Sequence, residues 1–311
     1  MSTFKKSKSG GSQVGITLSE NLFALAVVRH AKAGKPSIDY CESHASGEAS
    51  GPALKALLEK HGAARSPACA VVDSDDYQIV QVEAPEVLPS EMRDAIRWRL
   101  RDAISFNVDE AAVDVFEIPD QARHARSKML FAVAARDSAV QRIAGALKPV
   151  AKGFCAIDIP ELCLRNVSSL LPQDSKGVAL LAISENFAQL VITRQGILYV
   201  TRRIDTQRRF NPHARDNDAD FDAGTLALEV QRSLDYYESH YDQSAVGDLV
   251  IAPAGERCGR LADALRTETS LRISLLDVRE LCNVYKSGEL VTDWASLVAL
   301  GAALRPDPTS M

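Results

Sequence analysis

Apolar residues fall into short blocks with the two-residue period of strands and longer stretches with the 3.6-residue period of helices. Early blocks predict strands at 14–18, 22–29 and 68–72. A helix fits 52–60, with Ser50 as its N-cap and Pro52 in its first turn. Residues 75–135 break this rhythm with a strand at 77–82, a long helix over 90–105, and strands at 112–118 and 129–135. Helix 137–148, strand 153–157 and helix 160–171 follow. Three strands then come in succession, 178–183, 187–193 and 197–204, with Gln195-Gly196 as the tight turn between the last two. After a polar loop over 205–221, the pattern predicts helix 222–241, strand 248–252, helix 256–267, strand 272–276 and a last helix over 292–304.

Strands followed by alternating helix and strand thus occur in both halves. The expected class is α/β, a mixed sheet covered by helices and built twice. The expected divisions are a flexible tail over 1–13, a first half over 14–172 that carries the insertion 75–135, a second half over 173–305, and a tail over 306–311. The last helix, 292–304, is expected to pack back on the first half.

A faint internal repeat supports the duplication. Ser19-Glu20-Asn21-Leu22-Phe23-Ala24-Leu25-Ala26-Val27-Val28-Arg29 returns as Ser184-Glu185-Asn186-Phe187-Ala188-Gln189-Leu190-Val191-Ile192-Thr193-Arg194. Five of these eleven positions are identical, at an offset of 165 residues. That is too long for a solenoid unit and suits two similar domains facing each other across a cleft.

Two helices show their faces. Leu226, Val230, Leu234, Tyr237 and Tyr241 form one stripe of helix 222–241, with Glu229, Arg232, Asp235 and Glu238 opposite. Of the pair Tyr236-Tyr237, one ring is expected in the core and one partly exposed. In helix 90–105 the inner stripe reads Met92, Ala95, Ile96, Arg99, Leu100 and Ala103. Glu91 and Asp94 come early and Arg97, Arg99 and Arg101 late, the order that complements the helix dipole. Trp98 falls off the stripe, beside Asp94 and Arg101. A Trp flanked by Arg on an outer face has the composition of a binding hot spot; the alternative is a Trp packed under a neighbouring subdomain.

Composition narrows the function. The chain has 311 residues, 46% of them hydrophobic, with a net charge of −5. A general nucleic-acid binder needs the opposite charge. No apolar run approaches the ~18 residues of a membrane-spanning helix. Lys5, Lys6 and Lys8 precede Ser and Gly and no hydrophobic stretch, so a secretory signal is not expected. None of the six cysteines pairs at CxxC spacing, and they read as reduced, mostly buried thiols of a cytoplasmic protein.

Few motifs carry chemistry. There is no phosphate-binding P-loop and no dinucleotide fingerprint. Asp216, Asp218, Asp220 and Asp222 alternate like a calcium loop, but Phe221 replaces the required Gly and Ala227 the final Glu. A solvated acidic loop is expected instead, and no metal site. Asp73, Asp75 and Asp76 read as a turn. Arg202, Arg203, Arg208 and Arg209 read as a solvated strand end.

The stretch Leu88-Pro89-Ser90-Glu91-Met92-Arg93-Asp94-Ala95-Ile96-Arg97-Trp98, with Ile104-Ser105-Phe106-Asn107-Val108-Asp109-Glu110, resembles the signature segment of the PilM-like proteins of type IV pilus machines. Ala156-Ile157-Asp158-Ile159-Pro160-Glu161-Leu162 and Leu228-Glu229-Val230-Gln231-Arg232-Ser233-Leu234-Asp235-Tyr236-Tyr237 resemble the branch that serves the mannose-sensitive haemagglutinin (MSHA) pilus. The resemblance covers about residues 14–305. It implies an actin-like (ASKHA) duplicated domain, with two mixed sheets and flanking helices around a central nucleotide cleft and an extra subdomain in the first half. It also implies a cytoplasmic docking protein in pilus assembly, peripheral to the inner membrane, and the reduced phosphate turns make the expected role that of a non-catalytic scaffold. Its partner would be a bitopic, PilN-like assembly protein, held by its N-terminal cytoplasmic peptide in a groove beside that subdomain. Arg97, Trp98 and Arg101 are the candidate partner-binding residues.

The departures from this family matter more. Its two hairpin turns usually carry an Asp, which orders the Mg²⁺ waters, and a Gly, which lets backbone N–H groups approach phosphate. Here Thr17 and Ala182 stand for the Asp, and Ser19 and Ser184 for the Gly. The adenosine-binding turn is reduced to Pro253-Ala254-Gly255-Glu256. Ser19, Glu20, Asn21, Ser184, Glu185, Asn186, Gly255 and Glu256 therefore outline a vestigial nucleotide cleft, with hydrolysis lost and no cofactor expected. A second reading is an ATP-binding or ATP-hydrolysing switch in which Glu20 and Glu185 supply displaced carboxylates to Mg²⁺. A third is a split cytoplasmic component of a type II secretion system.

Overall fold

The computed structural model describes residues 11–19, 22–31, 34–45, 50–88, 90–118, 128–205, 223–241, 243–284 and 290–306. The first half contains β1 (Ser12–Leu18), β2 (Leu22–Arg29), β3 (Ser37–Ala45), α1 (Ser50–Lys60) and β4 (Ala68–Val71). The insertion follows, with β5 (Tyr77–Glu83), α2 (Met92–Leu100), β6 (Ala111–Glu117) and β7 (Met129–Arg136). The half resumes with α3 (Asp137–Leu147), β8 (Phe154–Asp158) and α4 (Pro160–Ser168). The second half has β9 (Val178–Ile183), β10 (Phe187–Arg194), β11 (Ile197–Asp205), α5 (Ala223–His240), β12 (Asp248–Ala252), α6 (Glu256–Glu268) and β13 (Arg272–Leu275). Last come α7 (Val278–Leu281), the short β14 (Asn283–Val284) and α8 (Trp294–Ala303).

The duplication is visible in the sheets. One runs β14-β3-β2-β1-β4-β8 and the other β11-β10-β9-β12-β13. Leaving out β14, both have the same order, and both pair the first three strands antiparallel and the rest parallel. Register follows the repeat: Leu18 faces Phe23, and 165 residues later Ile183 faces Ala188. A bulge at Val27/Val28 returns at Ile192/Thr193, again 165 residues on. The β10–β11 turn uses Gln195 and Gly196, both left-handed with φ of 52° and 74°, the geometry a two-residue hairpin needs.

One apolar cluster spans both halves, with Ala24, Ala26 and Val28 of the first sheet in the same cluster as β9, β10 and α8, while the other face of that sheet packs on α1 and α3 in a cluster of its own. Helix α8 is buried from Ala295 to Ala303 and lies against β1, β2 and α4. The Asp293 carboxylate accepts from the Ser296 N–H at 2.8 Å to start it, half of a capping box. Glycines set its distance. A Cβ on Gly15 would stand 1.8 Å from the Ala299 carbonyl oxygen, and one on Gly301 would stand 2.2 Å from that of Cys163.

Several expectations are corrected. Helix 90–105 ends at Leu100, and turns carry the chain to Val108. Of its predicted inner stripe, Ile96 and Leu100 are buried, but Arg99 and Ala103 are exposed. Arg99 instead reaches the Glu83 carbonyl at 2.9 Å. Strands β3 and β14 and helix α7 were not expected, and β1 begins inside the predicted tail. Asp216, Asp218, Asp220, Asp222, Arg208 and Arg209 lie outside the described residues, as does the side chain of Ser50. All six cysteines are free thiols, five of them buried and Cys155 exposed.

Candidate functional site

The two repeat turns open onto one cleft of about 500 Å³. Thr17, Leu18 and Ser19 come to it from the first half, and Ile183, Ser184, Glu185 and Asn186 from the second. Asp73, Ser74 and Asp75, in the turn after β4, and Trp294, at the start of α8, complete the main walls. Glu20 and Asn21 lie outside the described residues. Gly255 and Glu256 contribute nothing to the described lining. Gly255 caps α6 in an extended conformation, and Glu256 pairs with Arg260 one turn along at 3.1 Å.

The hydroxyls of Thr17 and Ser19 and the backbone of both turns are used internally. The Ser19 hydroxyl donates to the Leu22 carbonyl at 2.9 Å and accepts from the Leu22 N–H at 3.2 Å. Its backbone N–H donates to that carbonyl too, at 2.8 Å, and Ser184 repeats this bond with Phe187 at the same length. The Thr17 hydroxyl accepts from the Ala24 N–H at 3.2 Å and donates to the Ala295 carbonyl at 3.5 Å. Ala182 is fully buried and brings only a methyl group. The two positions where the family carries Mg²⁺-ordering carboxylates therefore do not fit that ion. Among the described residues, no three His, Cys, Asp or Glu side chains are grouped to hold a metal.

Two aromatic rings line the cleft. Phe187 and Trp294 meet edge to face, with centroids 4.9 Å apart. The guanidinium of Arg203 lies 4.1 Å from the Phe187 centroid. It also donates to the Ser74 carbonyl at 3.4 Å and to the Asp75 carboxylate at 3.3 Å. Arg202 pairs with Glu229 at 2.6 Å. These two arginines are thus ion-paired, not a solvated strand end, and Asp73 and Asp75 are cleft walls as well as a turn. Sequence reading missed Phe187, Trp294 and Arg203 as site residues. The one available signal was Phe187, an aromatic ring where the first copy of the repeat has Leu22.

A second cavity of about 530 Å³ lies between β5 and strands β10 and β11. Glu161, at the start of α4, faces it and is 3% exposed. The Tyr77 hydroxyl donates to its carboxylate at 2.6 Å. Burial pushes the Glu161 carboxyl up to about 7, against the hydrogen bond from Tyr77 and the pull of Arg203. Further along the same gap, the Tyr236 hydroxyl donates to the Gln81 side-chain oxygen at 2.7 Å, and the Gln81 amide donates to Tyr241 at 3.3 Å. Tyr237 is fully buried, so the two adjacent tyrosines divide as expected.

The face of α2 is separate from both cavities. Trp98 is 68% exposed, with the Arg101 guanidinium 4.3 Å from its ring centroid, and Arg101 stands 3.8 Å from Asp109. Leu88, just before the helix, is 65% exposed. Arg97 points elsewhere, donating to the carbonyls of Val108 at 2.5 Å and Ala111 at 3.0 Å. It fixes the approach to β6, while Trp98 and Arg101 present the open surface.

No protein-family model matches the chain, and no curated protein matches it in sequence. Solved structures do match it. It aligns with a chain of the PilM–PilN type IV pilus biogenesis complex at a TM-score of 0.67 and 18% identity, covering 94% of this chain and 97% of that one. The cytoplasmic domain of EpsL, an inner membrane component of the type II secretion system of Vibrio cholerae, aligns at a TM-score of 0.51 and 12% identity, with 95% and 96% covered. Among the described residues, no helix is long and apolar enough to cross a membrane. The repeated strand order and these full-length alignments give the chain a duplicated, actin-like fold, with a three-stranded subdomain inserted into its first half.

Proposed function

We propose that this chain is a PilM-like component of a type IV pilus machine, of the MSHA type and MshI-like in role. It acts as a non-catalytic cytoplasmic scaffold, peripheral to the inner membrane, and docks the N-terminal cytoplasmic peptide of a bitopic, PilN-like protein. The observation that carries this reading is the alignment over 94% of the chain with a chain of the PilM–PilN complex. The exposed ring of Trp98, backed by Arg101 on the inserted subdomain, is the docking anchor. Arg97 supports it by holding the chain before β6.

The test is a calorimetric titration with the synthetic N-terminal peptide of the PilN-like protein from the same organism. Saturable binding that weakens in Trp98→Ala supports the reading; no heat of binding at a hundred micromolar peptide would end it. The likeness to the EpsL cytoplasmic domain favours one second reading, a cytoplasmic component of a type II secretion system. Titration with that system's peptide separates the two. We infer further that the cleft hydrolyses no nucleotide, because Thr17 and Ala182 supply no carboxylate for Mg²⁺.

A further inference from the structure

We propose that Arg203 is a built-in clasp that ties the two halves of this chain together across their cleft. Arg203 projects from β11 of the second half. Its guanidinium reaches the Ser74 carbonyl and the Asp75 carboxylate, both in the turn after β4 of the first half. On its own side it lies over the Phe187 ring and stands 3.5 Å from Asp205. One side chain thus joins a turn of the first half to a repeat turn of the second.

Its position is as informative as its partners. Ser74, Asp75 and Arg203 line both the cavity of about 500 Å³ at the repeat turns and that of about 530 Å³ beside β5. The contact is the partition between them. With the clasp open, the two spaces become one continuous gap between the halves. Behind the gap the halves share a buried core through α4 and α8, which would stay closed as the clasp opens. Gln81, which accepts from Tyr236 and donates to Tyr241, forms a further tie.

The chemistry suits a clasp that opens. The Asp75 side chain is 85% exposed and that of Arg203 is 38% exposed, so their attraction is screened by water and salt. An array of weak contacts around one planar guanidinium closes the cleft and is released in one motion. Closure then depends in part on ionic strength and on the Arg203–Asp75 pair. The inference stands independently of the docking reading.

Hydrogen exchange of the full chain tests it, comparing the wild type with Arg203→Ala and Asp75→Asn at 50 mM and 1 M salt. The expected result is exchange at least fivefold faster over 72–77 and 184–187 in both variants, with α8 unchanged. The wild type should move the same way at 1 M salt. Unchanged exchange at both turns would overturn the clasp. Loosening spread equally over α8 would overturn it too, since that is a fold defect. Asp75→Asn removes one exposed charge, so it remains informative if Arg203→Ala fails to fold.

Discussion

The Tyr77 hydroxyl donates to the Glu161 carboxylate across 2.6 Å, joining the first strand of the inserted subdomain to the start of α4. Both residues are buried, and burial raises the Glu161 carboxyl to about 7. The unfolded carboxyl releases its proton near 4.3. Between these values the unfolded chain has lost a proton that the folded chain keeps, so stability falls as pH rises. Glutamine still accepts from Tyr77 but carries no charge. Glu161→Gln should match the wild type in urea unfolding at pH 4.5 and exceed it by about 3 kcal/mol at pH 8. Equal stability of the two proteins at pH 8 would show that Glu161 is ionised at little cost.

Trp98→Ala and Arg97→Ala should separate binding from folding. Trp98 is mostly exposed, so its loss should cost more than ~1 kcal/mol of peptide affinity and leave the melting temperature within a degree or two. Arg97 makes two charge-assisted bonds to backbone carbonyls, and its loss should lower stability by about 2 kcal/mol. Parallel thermal melts and peptide titrations check both. A Trp98→Ala protein that binds normally removes the ring from the docking face.

Gly15→Ala should be among the most damaging small substitutions in the chain. Its methyl group would meet the Ala299 carbonyl at 1.8 Å, on a helix buried between the halves. Backbone must move, so a loss of at least about 2 kcal/mol is expected in chemical denaturation. Gly145→Ala is the control, because nothing stands within 4 Å of its added carbon.

Millimolar MgATP or MgADP should leave the melting temperature where EDTA leaves it. A ligand that binds only the folded chain raises its stability with concentration. A Mg²⁺-dependent rise would mean that nucleotide is held in another way, through Glu185 and the turn carrying Glu20.

The duplication was legible because it is local. Ser-Glu-Asn marks each turn, and the strands around it keep register over the same offset. Strand β3 was not legible, because Asp39, Glu42 and His44 interrupt its apolar positions. On α2, Arg99 fits the helical period, yet its long stem carries the charge out to Glu83, so spacing misplaced it. The clasp was hidden for another reason. Arg203 meets Asp75 across 128 residues of chain, and no local pattern marks that contact.

Among the described residues, the three-stranded sheet is inserted into the first of the two copies and has no counterpart in the second. A ligand that recognised the repeat itself would find two similar places on each molecule, one in each half. Any ligand that recognises the insertion finds one. A partner that docks on the insertion is therefore expected to bind once per chain, and to meet the otherwise self-similar molecule from one side.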